Sequence, residues 1–191
     1  MSTLYIFDFD DTLAMTNSHV RIIGKDGLLK HRLNSRAFAK YRHRPGENLD
    51  FSEFNTATGT LISDTVQEME SAISDYGVGN VFIVTARSEP RPVEMFLQSM
   101  GVSVPEVVAT AGSEGKATWL TKKLLSGNYK SVKVYEDCKK NISMLRDVVE
   151  AYNEELDSAV QYSAVCILKD GSQQVMEGLV RKYVRNILYN L

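Results

Sequence analysis

Asp8-Phe9-Asp10-Asp11-Thr12 is the segment of this chain with the most concentrated chemical potential. In an extended backbone Asp8 and Asp10 are two residues apart and project to the same side. They follow the apolar run Leu4-Tyr5-Ile6-Phe7, which reads as a central strand. Carboxylates at the carboxyl end of such a strand stand where open α/β sheets place their ligands. Two of them held together repel, and a cation relieves the repulsion. Ligands that are all oxygen suit a hard ion, with magnesium the first choice. The plain alternative is an acidic strand end at a solvated turn.

The residues that position this segment alternate between two periodicities. Apolar runs at 80–85, 107–109, 132–135 and 164–168 read as further strands. Helical spacing of apolar residues fills 64–76, 92–100, 113–125, 141–156 and 173–188. Gly77 and Gly101 stand as stops after the first two helices, and Ser113 as a cap before the third. Strands alternating with helices imply an α/β fold with a parallel sheet and helices on both faces, a three-layer Rossmann-like arrangement. Residues 14–63 break the alternation. They hold a possible β-hairpin over 20–30, a short helix over 36–41 after Asn34, and an acidic, aromatic stretch at 49–54. This region is expected to be a small cap inserted into a single domain spanning 1–191, too long for a plain loop.

Phe7-Asp8-Phe9-Asp10-Asp11-Thr12-Leu13 resembles the first motif, DxDxT, of the haloacid dehalogenase-like (HAD) superfamily. Three further motifs have counterparts in the same order. Ile83-Val84-Thr85 is similar to the second, a strand ending in Ser or Thr. Gly115-Lys116-Ala117-Thr118 is similar to the third, a lysine near a helix start, and Val134-Tyr135-Glu136-Asp137 to the fourth, acidic residues after a strand. The fourth departs from the commonest pattern of two aspartates, and position 141 is Asn rather than a further acid. Asn141 then reads as an N-cap or as a residue that orients a ligand. The chain also resembles phage and bacterial members of the superfamily.

The resemblance implies a magnesium-dependent phosphatase. Asp8 is the expected nucleophile, forming an aspartyl-phosphate, and Asp10 the expected general acid and base. Thr85 and Lys116 are expected to bind the phosphoryl oxygens in the transition state, and Thr12 to contribute to substrate binding. Asp8, Asp137 and the main-chain carbonyl of Asp10 are the expected metal ligands, with Glu136 a further candidate. Arg87, two residues after Thr85, is expected on the same loop, facing the site, where its planar fork can clamp a substrate phosphate or sugar. An exposed loop arginine and a simple strand-end threonine are the plainer readings of Arg87 and Thr85.

The 191 residues suit one domain, and 43% apolar with 24% charged residues is ordinary composition for a folded chain. A formal net charge of −2 offers no overall basic field for a long polyanion. The cap nonetheless carries a basic run at Arg32, Arg36, Lys40, Arg42, His43 and Arg44 with Phe38 and Tyr41 interleaved. That run fits either a solvated helix face or contacts to nucleotide or nucleic-acid phosphates. The two cysteines, Cys138 and Cys166, have no metal-ligand spacing and read as reduced thiols. No apolar run approaches the ~18 residues of a membrane span, and the acidic start does not read as a signal peptide. The expected location is the cytoplasm. Three functions are consistent with this reading. The chain is a phosphatase for small metabolites or nucleotides, an end phosphatase for polynucleotides, or a non-catalytic binding protein on a HAD fold. The arginine- and aspartate-rich signature of polynucleotide kinase phosphatase domains does not precede Lys116.

Overall fold

The computed structural model describes residues 2–176. In it the first apolar run is strand β1 (Ser2–Phe7). Small strands follow at β2 (Ala14–Thr16), β3 (Val20–Ile23) and β4 (Leu29–Leu33), then the one-turn helix α1 (Ser35–Phe38), β5 (Asn48–Asp50) and β6 (Gly59–Leu61). From there strands and helices alternate: α2 (Ser63–Tyr76), β7 (Val81–Thr85), α3 (Arg91–Ser99), β8 (Glu106–Ala109), α4 (Ser113–Ser126), β9 (Tyr129–Glu136), α5 (Lys139–Leu156) and β10 (Gln161–Ile167). A last strand, β11 (Gln173–Met176), closes the described chain.

Six strands form a mixed but mostly parallel sheet in the order β11-β10-β9-β1-β7-β8. β1 lies parallel between β7 and β9, and only β11 runs antiparallel, on the edge against β10. Side-chain alternation divides the apolar residues between two faces. Tyr5, Phe7, Val81 and Ile83 pack with Val66 and Met69 of α2 and Phe96 and Leu97 of α3. Leu4, Ile6, Phe82 and Val84 pack with Leu120 and Leu124 of α4 and Leu145 and Val149 of α5. Strands buried on both faces need continuous apolar runs, which is what the sequence supplies at 4–7 and 81–84. Phe7 stacks on Tyr135 of β9 at 4.4 Å between ring centroids, which ties together the two strands that carry the acidic residues.

The inserted region forms two small antiparallel sheets, β2 with β6 and β4-β3-β5. The hairpin expected over 20–30 is present as β3 and β4, with β5 added along the other side of β3. Asn34 caps α1, its Oδ1 accepting from the Ala37 N–H at 2.9 Å.

Three local expectations are corrected. The helix expected over 173–188 begins instead as β11, and the remainder lies outside the described residues. The cause is the turn at 168–172: Gly171 takes φ +82°, its N–H bonds to the Leu168 carbonyl, and the Leu168 N–H bonds to Ser172. That geometry returns the chain along β10. The sheet is therefore not wholly parallel. Neither Ser113 nor Asn141 is an N-cap: Ser113 is the first residue of α4, and Asn141 is the third of α5, buried. Cys138 and Cys166 are free thiols. Among the described residues no helix is long and apolar enough to cross a membrane.

Candidate active site

The register Phe7↔Tyr135 places Asp8 beside Glu136, one residue past the end of β1 and at the end of β9. The Asp8 N–H donates to the Tyr135 carbonyl at 3.0 Å, which extends the ladder and fixes where the side chain leaves the sheet. Lys116 reaches the pair from the first turn of α4. Its Nζ donates to Asp8 Oδ1 at 2.6 Å and to Glu136 Oε2 at 2.7 Å, with all three side chains buried. Gly115 makes that approach possible: a Cβ there would collide with the Thr110 carbonyl, pushing the start of α4 off the strand ends. A cation at a helix start opposes the helix dipole, and the two carboxylates offset that here.

One ammonium cannot serve two buried carboxylates fully. Burial acts to lower the Lys116 pKa, but Asp8 and Glu136 win and hold it above the ordinary lysine value. Asp8 goes the other way from a normal aspartate. Burial pushes its carboxyl up to about 7, Glu136 adds repulsion, and Lys116 offsets only part of this. Asp137 is pushed up to about 8, by burial first and then by Asp8 and Glu136, against the opposing pull of Arg36. Burial also raises Asp11, whose Oδ2 is buried without a hydrogen-bond partner.

Asp8, Glu136 and Asp137 each offer a carboxylate oxygen within 4.8 Å of the others, a group able to hold a metal ion. With Asp11 close enough to raise Asp137, four carboxylates face two cations, Lys116 and Arg36. With all four ionised, the excess of two negative charges would fit a divalent cation bound through oxygen. Asp10 lies outside this cluster of carboxylates.

Asp10 belongs to a second arrangement. Arg87 grips it with two parallel bonds, Nε to Oδ2 at 2.9 Å and Nη2 to Oδ1 at 2.8 Å. Nη1 donates to the carbonyls of Phe54 at 2.9 Å and Thr56 at 2.8 Å, and Nη2 also to Ser18 Oγ at 3.1 Å. The guanidinium carbon lies 5.2 Å from the Phe9 ring centroid and 5.0 Å from that of Phe54. All five donors of a guanidinium are thereby used within the protein. Arg87 is 4% exposed, neither the substrate clamp nor the exposed loop residue read from the sequence. It joins Asp10 to Ser18, Phe54 and Thr56 of the inserted region. Thr16 Oγ1 donates to Asp10 Oδ1 at 2.6 Å and completes the hold.

Arg87→Lys should therefore behave as a severe change. A point-charge ammonium cannot replace a bidentate fork and two carbonyl contacts. We expect a loss of about 3 kcal/mol, read as a fall in urea midpoint with an unchanged slope. A midpoint equal to that of the unmodified chain would show that this pair does not tie the cap down.

Thr12 is fully buried and donates from Oγ1 to Asp8 Oδ2 at 3.2 Å, so it orients the carboxylate. Thr85 ends β7 on the other side of β1, buried, with its Oγ1 accepting from the Arg87 N–H at 3.3 Å. Sequence reasoning did not foresee the role of Arg36, whose Nε donates to Asp137 Oδ2 at 3.1 Å and Nη2 to the Ile167 carbonyl at 3.4 Å. It also missed Thr16 and Ser18, which carry no local signal beyond lying just after the first motif. No known family model matches the chain, and no curated protein or solved structure matches it either.

Proposed function

We propose that this chain is a magnesium-dependent phosphohydrolase that acts on phosphate monoesters of a small metabolite or nucleotide through an aspartyl-phosphate. On this reading the fold is a three-layer Rossmann-like HAD domain with residues 14–63 as its cap. The observation that carries the reading is the Asp8 carboxylate. It stands at the carboxyl end of a central parallel strand, bonded to a buried lysine and grouped with Glu136 and Asp137, and a second acid follows two residues on. The resemblance of the same residues to the four HAD motifs is consistent with it.

An ionised Asp8 oxygen attacks phosphorus as the bond to the leaving oxygen breaks. Asp10 gives a proton to that oxygen and then takes one from the water that attacks the aspartyl-phosphate, releasing phosphate and restoring Asp8. Arg87 and Thr16 occupy both Asp10 oxygens, so the side chain has to turn out of this pair to reach the leaving oxygen. Lys116 and Thr85 stabilise charge on the phosphoryl oxygens, and Thr12 steadies the nucleophile. Magnesium, held by Asp8 and Asp137 with Glu136 or the Asp10 carbonyl, would supply positive charge beside the same oxygens.

The direct test is phosphate release from p-nitrophenyl phosphate and a panel of phosphorylated metabolites. EDTA should abolish release and magnesium restore it. Absence of magnesium-dependent turnover over the whole panel would instead favour a binding protein on this fold.

The cluster also makes a pH-dependent prediction. Asp8 and Asp137 have folded-state pKa values of about 7 and about 8 without metal, well above those of an unfolded aspartate. Between pH ~4 and ~8 the folded state then binds more protons than the unfolded state. This contribution is fully present below pH ~4 and is lost as pH rises through the folded values. Magnesium should therefore raise Tm more at pH 8.5 than at pH 5.5. At a hundredfold excess over Kd, about 2.7 kcal/mol corresponds to roughly 5–10 °C. Equal gains at both pH values in a thermal-shift assay would contradict the assignment.

A further inference from the structure

The charge of this chain is unevenly shared. Residues 14–63 contain eight Lys and Arg against four Asp and Glu, a net of +4, and all three histidines, in a chain whose formal net is −2. The remainder is thus acidic. Half of the cap's cations are neutralised: Arg21 by Asp50, Lys30 by Asp26, Arg32 by Glu53 and Arg36 by Asp137. Lys25, Lys40, Arg42 and Arg44 have no ion-pair partner among the described residues, and all four are exposed.

These four gather at one end of the cap. Lys40, Arg42 and Arg44 lie in a single loop that follows α1, and the stem of Lys25 crosses Gly46 at the loop's end. Gly46 has φ +86°, and a Cβ there would collide with that lysine. The loop is folded rather than loose. Glu47 accepts from the Tyr41 hydroxyl at 2.8 Å and from the Arg44 N–H at 2.9 Å, and His43 contacts the Glu47 carbonyl. Glu47 thus holds the loop through the Tyr41 hydroxyl and the Arg44 main chain, and the Arg44 charge acts on it without an ion pair among the described residues.

The patch adjoins the site. Arg36 of α1 touches Asp137, and Lys40 stands two residues past the end of that helix, its N–H donating to the Ala37 carbonyl at 3.2 Å. Beside them Phe51 is 47% exposed. It packs edge-on to Phe38 of α1 at 5.5 Å and lies 6.3 Å from Phe54, whose carbonyl holds Arg87. An exposed aromatic packed on α1, beside exposed cations with no ion-pair partner among the described residues, has the composition of a single-strand binding surface, in which bases stack and phosphates meet Lys and Arg.

We infer that the cap binds the chain of a single-stranded nucleic acid whose terminal phosphate enters the Asp8 site, with Lys25, Lys40, Arg42 and Arg44 on the following phosphates and Phe51 under a base. This rests on the phosphohydrolase reading for the terminal phosphate and replaces its small-molecule substrate with the end of a polymer. A free mononucleotide has too few phosphates to engage four separated cations, so the charge pattern favours a polymer.

The test uses the full chain and a fluorescein-labelled DNA decamer with a terminal phosphate, followed by anisotropy from 50 to 300 mM NaCl. Each neutralised phosphate contributes about 0.7 to the slope of log K against log salt for single strands. The triple variant Lys40→Ala, Arg42→Ala, Arg44→Ala should lower that slope by about 2 and weaken binding at least tenfold at 50 mM salt. Arg42→Lys with Arg44→Lys should keep the slope, because phosphate neutralisation needs charge rather than a fork. Phe51→Ala should weaken binding about tenfold with the slope unchanged. The inference is overturned if the unmodified chain does not bind the decamer, if it binds a mononucleotide equally well, or if the triple variant retains affinity and slope. Hydrolysis of p-nitrophenyl phosphate by the unmodified chain reads the active-site proposal separately, so either idea can fail alone.

Discussion

Asp8→Asn is expected to abolish phosphate release, lowering kcat by about 10⁴-fold or more, because it removes the only atom that forms the covalent intermediate. The fold should survive. Asn has the same shape: its carbonyl can accept from Lys116 Nζ and its amide can donate to Thr12 Oγ1, which now sits 3.2 Å from Asp8 Oδ2. Stability without metal should hold or rise by a few degrees, since the substitution removes a buried carboxylate whose ionisation is opposed by burial and by Glu136. The stabilisation conferred by magnesium should shrink at the same time. Steady-state kinetics on p-nitrophenyl phosphate and paired thermal scans read both effects. A variant that keeps a tenth of the activity would remove Asp8 from the nucleophile's role.

Lys116→Met should produce the largest loss of stability. Lys116 is 1% exposed and, among the described residues, is the one cation bonded to both Asp8 and Glu136. Removing one member of a buried ionic group leaves its partners uncompensated, at about 3–5 kcal/mol. For a chain of this size that is roughly 10 °C in Tm. The loss should be greatest near pH 8.5, where Asp8 and Asp137 ionise, and smaller near pH 5.5, where they hold protons. Activity should vanish at both. A Tm equal to that of the unmodified chain at pH 8.5 would show that Lys116 does not hold the carboxylates together.

The parts legible in the sequence were those fixed by local pattern. A strand buried on both faces must be an unbroken apolar run, so β1 and β7 announced themselves, and Asp8 and Thr85 lie at or just past their ends. The helical spacing of Leu120 and Leu124 marked α4, and Lys116 falls one turn before them. What escaped depended on partners distant in the chain. Arg87 gave no hint that carbonyls 31 and 33 residues earlier would take its fork. β5 is three residues long and is a strand only because β3 lies beside it. Helical spacing beyond 173 misled because a turn at Gly171 and the free edge of β10 decide the conformation of 173–176. Asn141 is no cap because α5 begins two residues before it, after Cys138, whose N–H donates to Glu136 Oε1 at 3.2 Å. The charge imbalance of the cap was readable as composition, but which cations stay unpaired was not.

A crystal structure with beryllofluoride and magnesium tests whether an Asp8 oxygen is the atom that meets phosphorus, without knowledge of the natural substrate. Beryllium should be bonded to an Asp8 oxygen, with the cation among Asp8, Asp137 and their oxygen neighbours and Lys116 turned toward the fluorides. Beryllofluoride bound to another residue, or a cation seated away from Asp8 and Asp137, would contradict it.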